Sequence, residues 1–162
     1  MTKEIFVQMA LKAWNQQIKN ATKFFDSVDA SLLNKEVAPG KNSLHYLLGH
    51  LIAVNDGMIS LFRLGERQYA HFDEPFLKNP DKSGLPVPDG ATLKAEWVKS
   101  NAVLTDYFNK MSADDWFGRH NSMTDQDLVN DPGRNKLSVL LNRTNHLAYH
   151  IGQLILVKEK ES

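Results

Sequence analysis

The chain has 162 residues, 42% hydrophobic and 23% charged, with 19 basic and 19 acidic side chains and a formal net charge of zero. That length suits a single domain, 1–162, with a sizeable core, and the evenly spread charge leaves no basic cluster to draw a nucleic acid. There is no cysteine, which removes disulfides, thiolate zinc sites and cysteine nucleophiles, and no apolar run nears the ~18 residues of a membrane span.

The polar start MTKE is not that of a signal peptide, so a cytoplasmic protein is the default expectation. Thr2 is placed to cap a first amphipathic helix, from about Lys3 to Val28. Its apolar stripe is Ile5, Phe6, Met9, Ala10, Ala13, Trp14, Ile18, Phe24 and Phe25. Asp29-Ala30-Ser31 opens a connection with room for one short turn, and Pro39-Gly40 closes it. Asn42 or Ser43 caps a second helix to Leu64, with Gly65 as the residue that ends it. Leu44, Leu47, Leu48, Leu51, Val54, Met58, Leu61 and Phe62 are its core positions.

Between residues 66 and 91, Pro75, Pro80, Pro86 and Pro88, with Gly84 and Gly90, oppose continuous helix or central strand. A connection of about 25 residues is long for a compact domain. It makes sense if it carries the chain back along a whole helix, so that the second and third helices run parallel. The third helix is expected from about Thr92 to Met111, through Leu93, Trp97, Val98, Leu104, Tyr107 and Phe108. Ser112 to Asp115 resembles a capped short turn ending at Trp116-Phe117, and Gly118 to Arg134 reads as a polar surface excursion. The last helix, Lys136 to Val157, has Leu137, Leu140, Leu141, Thr144, Leu147, Ala148, Ile151, Leu154 and Ile155 at helical spacing, followed by a frayed tail. No stretch alternates as a strand would. The expectation is an all-α protein, a four-helix bundle with long connections between helices 2 and 3 and between helices 3 and 4.

The last helix carries the chemistry. His146 and His150 are four apart, so both imidazoles lie on one face, one turn apart, where two nitrogens reach one metal ion. His50 lies in the second helix, roughly 11 Å from its start, while the His146–His150 midpoint lies roughly 18 Å along the last helix. If those two helices are antiparallel, the three histidines fall within one turn of each other, and a cluster inside the bundle is feasible. Gly49, Gly57 and Gly152 sit in helix interiors, where glycine costs about 1 kcal/mol relative to alanine, and suggest close helix approach there. His45 is about 140° round the helix from His50 and does not join the site. His71 and His120 lie in the long connections and read as surface histidines, with a lid over the site as the alternative.

Gly-His-Leu in the second helix, with His-x-x-x-His-Ile-Gly-Gln-Leu late in the last, resembles the DinB-like superfamily over nearly the whole chain. The resemblance implies an up-down-down-up bundle, a homodimer, and a divalent metal held by His50, His146 and His150. It also implies chemistry like that of relatives that are thiol-dependent transferases or isomerases using a low-molecular-weight thiol. It does not imply DNA binding.

Three neutral imidazoles leave a Zn²⁺-like ion with its full charge and an open position, as in a catalytic site. Nitrogen ligands suit Zn or Ni first, with Fe, Mn or Cu also admissible. Such an ion activates a water, or a thiol supplied by a small-molecule substrate. Arg143, three residues before His146, is on the same face and is a candidate to bind a substrate carboxylate, an ion pair being the alternative. Tyr46 and Tyr149 are expected to point away from the site. There is no Glu-x-x-His, His-Glu-x-x-His, P-loop or Gly-x-Gly-x-x-Gly to support another chemistry. Two classes remain open: a metal-dependent S-transferase or hydrolase-like enzyme, and a non-catalytic metal-stabilised stress-response or interaction module.

Overall fold

The computed structural model describes residues 2–159. It is all-helical, and among the described residues the only extended pairing is the single bridge between Glu36 and Ser43. Four long helices dominate: α1 (Lys3–Asp26), α3 (Leu44–Leu61), α4 (Gly90–Lys110) and α7 (Lys136–Glu159). Shorter helices α2 (Ala30–Leu33), α5 (Ala113–Phe117) and α6 (Asp125–Asn130) lie in the connections. Among the described residues, no helix is long and apolar enough to cross a membrane. A frayed tail was expected from Lys158 to Ser162; Lys158 and Glu159 instead continue the helix, and residues 160–162 lie outside the described residues.

The four long helices enclose one aromatic core. Trp14 of α1 packs edge-on against Phe108 of α4, and Phe25 against Trp97, with ring centroids 6.3 and 6.0 Å apart. Trp116 of α5 closes that end against Phe62 and Phe108. The Trp97 indole is satisfied by donating to the Thr22 hydroxyl at 2.9 Å. Helix α3 is apolar on most faces and is accordingly buried on most faces, packing against both α4 and α7.

Helix ends follow the capping chemistry, with some shifts from expectation. Ser43 caps α3, its hydroxyl accepting from the Tyr46 N–H, and Asp81 from the long connection accepts from the Ser43 N–H at 2.7 Å. Helix α3 ends at Leu61 and not Leu64. The left-handed residue is Arg63 (φ 60°), with the Arg63 and Leu64 N–H groups donating back to Ser60 and Ile59. Gly65 therefore does not end the helix. Helix α4 begins two residues before Thr92 because the Asp89 carboxylate takes the Thr92 N–H at 2.7 Å. Helix α6 was not expected. A reciprocal Thr124–Asp127 capping box starts it, but it has no apolar stripe to announce it.

The core stripe of α1 is also displaced. Val7, Ala10, Trp14, Ala21, Phe24 and Phe25 are buried, whereas Phe6 is 49% and Met9 62% exposed, with Ile5 and Ala13 exposed beside them. Val98, Leu141 and Ile155, expected inside, are likewise exposed. These helices are apolar on more than one face, and only one of those faces meets the core.

The connection from residue 62 to 89 is anchored to α3. Buried Asp56 accepts from Arg67 Nε at 2.9 Å and from the backbone N–H groups of Gln68 and Tyr69. Arg67 also grips Asp73 with both terminal nitrogens at 2.6 Å. Beyond this clamp, a 3-10 turn (Ala70–Phe72) and a π-helical turn (Glu74–Lys78) bury Phe72 and Phe76. The Phe76 ring lies over Gly49, where an added Cβ would overlap it. Gly57 and Gly152, by contrast, have open space at their Cβ positions, so tight packing explains only Gly49.

Gly49→Ala is therefore expected to lower stability by about 1–3 kcal/mol, because a buried ring must move. Gly152→Ala, exposed in mid-helix, is expected to raise it by about 1 kcal/mol. Urea unfolding of the two variants checks the contrast; equal effects would remove the close contact as the reason for Gly49.

Candidate metal centre

Helix α3 presents His50 toward α7, and α7 presents His146 and His150 back. One ring nitrogen from each lies within 4.8 Å of those of the other two. His50 Nε2 is 3.2 Å from His146 Nε2, and His150 Nε2 is 3.1 Å from the same atom. The three rings have centroid separations of 4.5 to 5.2 Å, steeply tilted to one another, so their edges and not their faces converge.

Two of the rings are oriented from behind. His50 Nδ1 is 3.0 Å from the Phe76 carbonyl oxygen, and His150 Nδ1 is 2.8 Å from Gln153 Oε1. Both partners are acceptors, so each Nδ1 carries the proton and each Nε2 turns a lone pair toward the centre. His146 Nε2 has at most one proton to give to two facing lone pairs. A cation resolves this arrangement for all three.

Burial pushes His50 and His150 below the ordinary imidazole range; for His50, the neighbouring His150 and Arg143 add to the effect. His146 is held down to about 4, first by burial, then by the nearby His150, His50 and Arg143. Neutral imidazole, the ligand form, is thus the resting state near pH 7.

The orienting groups were not identified from sequence. Gln153 had a signal, since three residues after His150 on a helix places it against that ring. Phe76 had none, because its carbonyl arrives from an irregular connection. Tyr46 packs in the core, as expected of it, but does not point away from the site: four residues before His50, it stacks on that ring at 13°, and its hydroxyl donates to the Asn79 carbonyl at 2.8 Å. Tyr149 is largely exposed, yet its hydroxyl accepts from Gln153 Nε2 at 3.1 Å and so steadies the amide behind His150.

The remaining histidines are elsewhere. His45 faces the Pro88 carbonyl at 2.8 Å, and His71 is exposed beside Phe72. His120 is not a surface histidine. It is 5% exposed, and its Nδ1 lies 2.9 Å from the Ser122 hydroxyl. Arg143 is close enough to act electrostatically on His50 and His146, and its buried Nε has no hydrogen-bond partner.

The sequence profile of the DinB superfamily matches residues 13–154, a span containing His50, His146, His150, Arg143 and Gln153. No curated protein sequence matches the chain.

The lowered histidine values fix a pH dependence for the metal-free protein. Unfolded histidines titrate near 6.5, so on acidification the unfolded chain takes up protons first. Stability is therefore fully present above about pH 6.5 and falls as the pH drops toward about 4, where His146 protonates in the folded state too. Urea unfolding should show a lower midpoint at about pH 5 than at about pH 7.5, with a smaller drop for His146→Asn. An equal drop in the variant would contradict the assignment.

Proposed function

The chain belongs to the DinB superfamily, and on that footing we propose that it binds one divalent ion through His50, His146 and His150. It then works as a metal-dependent enzyme that activates a small-molecule thiol or water, as a thiol-dependent transferase or a hydrolase-like catalyst. The observation that carries this reading is the convergence of three Nε2 atoms, two of them fixed in the ligand tautomer by Phe76 and Gln153.

The spacing fits. Metal–nitrogen bonds of 2.0–2.1 Å imply nitrogen separations of about 3.3 Å on a tetrahedron and about 3.0 Å on an octahedral face. The 3.2 and 3.1 Å separations lie between these, so Zn or Ni suits the site, and Fe, Mn or Cu is admissible. Bound there, the ion supplies the Lewis acidity that brings a water or thiol to its deprotonated, nucleophilic form near neutral pH. The protein's own part is to keep three imidazoles neutral and aimed, and to place a substrate beside them. Arg143 is the side chain in position to hold that substrate.

Several features of the molecule support the wider reading. The contacts of Trp14 with Phe108, of Phe25 with Trp97 and of His50 with His146 favour an up-down-down-up bundle formed as one unit over 1–162. Exposed Phe6 and Met9 on α1, and Leu141 on the neighbouring α7, offer an apolar face for a second copy, and a homodimer follows. Phe6→Glu should shift a sedimenting dimer to monomer; an unshifted dimer would place the interface elsewhere. A cytoplasmic setting, where small thiols stay reduced, suits the chemistry.

Elemental analysis of untagged protein should find about one equivalent of divalent metal per chain, and His50→Ala should lose it. The loaded protein should consume an activated haloarene only when a thiol is added. Metal retained undiminished by His50→Ala would refute the site. Metal lost by the variant, with no turnover under any thiol and no hydrolysis of an activated ester or amide, would leave a metal-stabilised module instead of an enzyme.

A further inference from the structure

A cleft of about 320 Å³ opens between α3 and α7, lined by residues one turn or more along these helices from the three histidines, which do not themselves line it. Val54 and Gly57 of α3 form one wall and Arg143 of α7 another, with Asn121 and Ser122 from the α5–α6 connection across from them. Val54 and Gly57 lie one and two turns beyond His50, and Arg143 one turn before His146. Measured along the helix axes, these lining residues stand about 5 to 10 Å from the histidine positions. Open space at the Gly57 Cβ position leaves its floor clear.

The charge in this cleft is one-sided. Two arginines line it and no carboxylate does. Arg67 is already matched, with Asp73 on both terminal nitrogens and Asp56 on Nε. Arg143 is not. Its Nε is buried without a partner, and no described carboxylate pairs with its guanidinium. A half-buried guanidinium with its Nε orphaned, at the edge of a cavity and next to neutral hydroxyl and amide side chains, is complementary to a single negative charge of planar, bidentate shape.

Resting on the reading of the three histidines as the reactive centre, we infer that this cleft seats a carboxylate carried by the substrate. Arg143 grips it while the other end of the same molecule reaches the imidazoles. The substrate class is a short acid monoanion whose reacting thiol or electrophilic carbon lies about 5 to 10 Å from its carboxylate. A phosphate dianion would need a second unmatched cation, and Arg67 is taken.

Two measurements decide this, and only one needs the metal. In the metal-free protein, propionate should move the Arg143 Nε–H resonance saturably while propionamide leaves it in place. In cobalt-loaded protein, 6-mercaptohexanoate, whose thiol reaches about 8 Å from its carboxylate, should perturb the visible spectrum at concentrations at least about tenfold lower than its amide. Arg143→Gln should abolish that preference and Arg143→Lys restore part of it. Should Arg143→Gln not fold, Gly57→Leu fills the cleft and is expected to remove the preference equally. Acid and amide acting alike in both measurements, or an undiminished preference in Arg143→Gln, would overturn the inference. Failure to take up cobalt would overturn the metal reading alone, with the propionate titration still deciding for the carboxylate.

Discussion

The contact between Phe76 and Gly49 ties the longest connection of this protein to its candidate site. A helix has backbone exposed to a neighbour only where a residue lacks a side chain, and Gly49 provides that bare patch immediately before His50. The ring that fills it fixes the π-helical turn, and the carbonyl of the same residue takes the His50 Nδ1 proton. Core packing and ligand orientation are thereby one event. The buried Asp56–Arg67–Asp73 clamp serves the same end, since it sets where the connection leaves α3 and how far Phe76 can reach. π-Helical turns are strained and uncommon, and their concentration near functional sites matches the place of this one.

Electrostatics make the centre an unusual region of an otherwise neutral chain. One buried imidazole, His150, and two half-buried ones, His50 and His146, face one another with an arginine nearby and no described carboxylate among them. A proton on any of the three is opposed by desolvation, and on His50 and His146 by a neighbouring histidine and Arg143 as well, which keeps the lone pairs free. The same crowding, which keeps three nitrogen lone pairs unprotonated and facing one another, is what the proposed cation and the proposed carboxylate would answer. Gln153 and Tyr149 extend the orienting network outward to the surface of α7, so the aim of His150 depends on residues a turn away from it.

Much of this was legible in the residues themselves. Apolar periodicity marked the four long helices to within a few residues; Ser43, Asp89 and Asn135 cap three of them with their side chains, whereas Thr2, expected to cap α1, makes no side-chain cap bond. Rise per residue made a cluster of His50 with His146 and His150 feasible, given antiparallel helices, and the family resemblance made it the expectation. The exposed face of α1 was not, since Ile5, Phe6 and Met9 satisfy helical spacing as well as Val7, Ala10 and Trp14 do, and periodicity cannot say which stripe meets the core. Burial of His120 and the role of Phe76 depend on irregular backbone that carries no period. Arg143 was visible as a residue on the right face; its lack of a partner required three dimensions.

The central claim is that imidazoles from two helices share one accessible ion. X-ray absorption of the metal-loaded protein tests it most directly, because it counts the scatterers around the ion itself. The expected spectrum has three imidazole nitrogens at about 2.0–2.1 Å with at least one further light atom, and a sulfur shell at about 2.3 Å appears when a thiol is added. A spectrum with one imidazole or none, or a closed shell that no added thiol alters, would contradict the account.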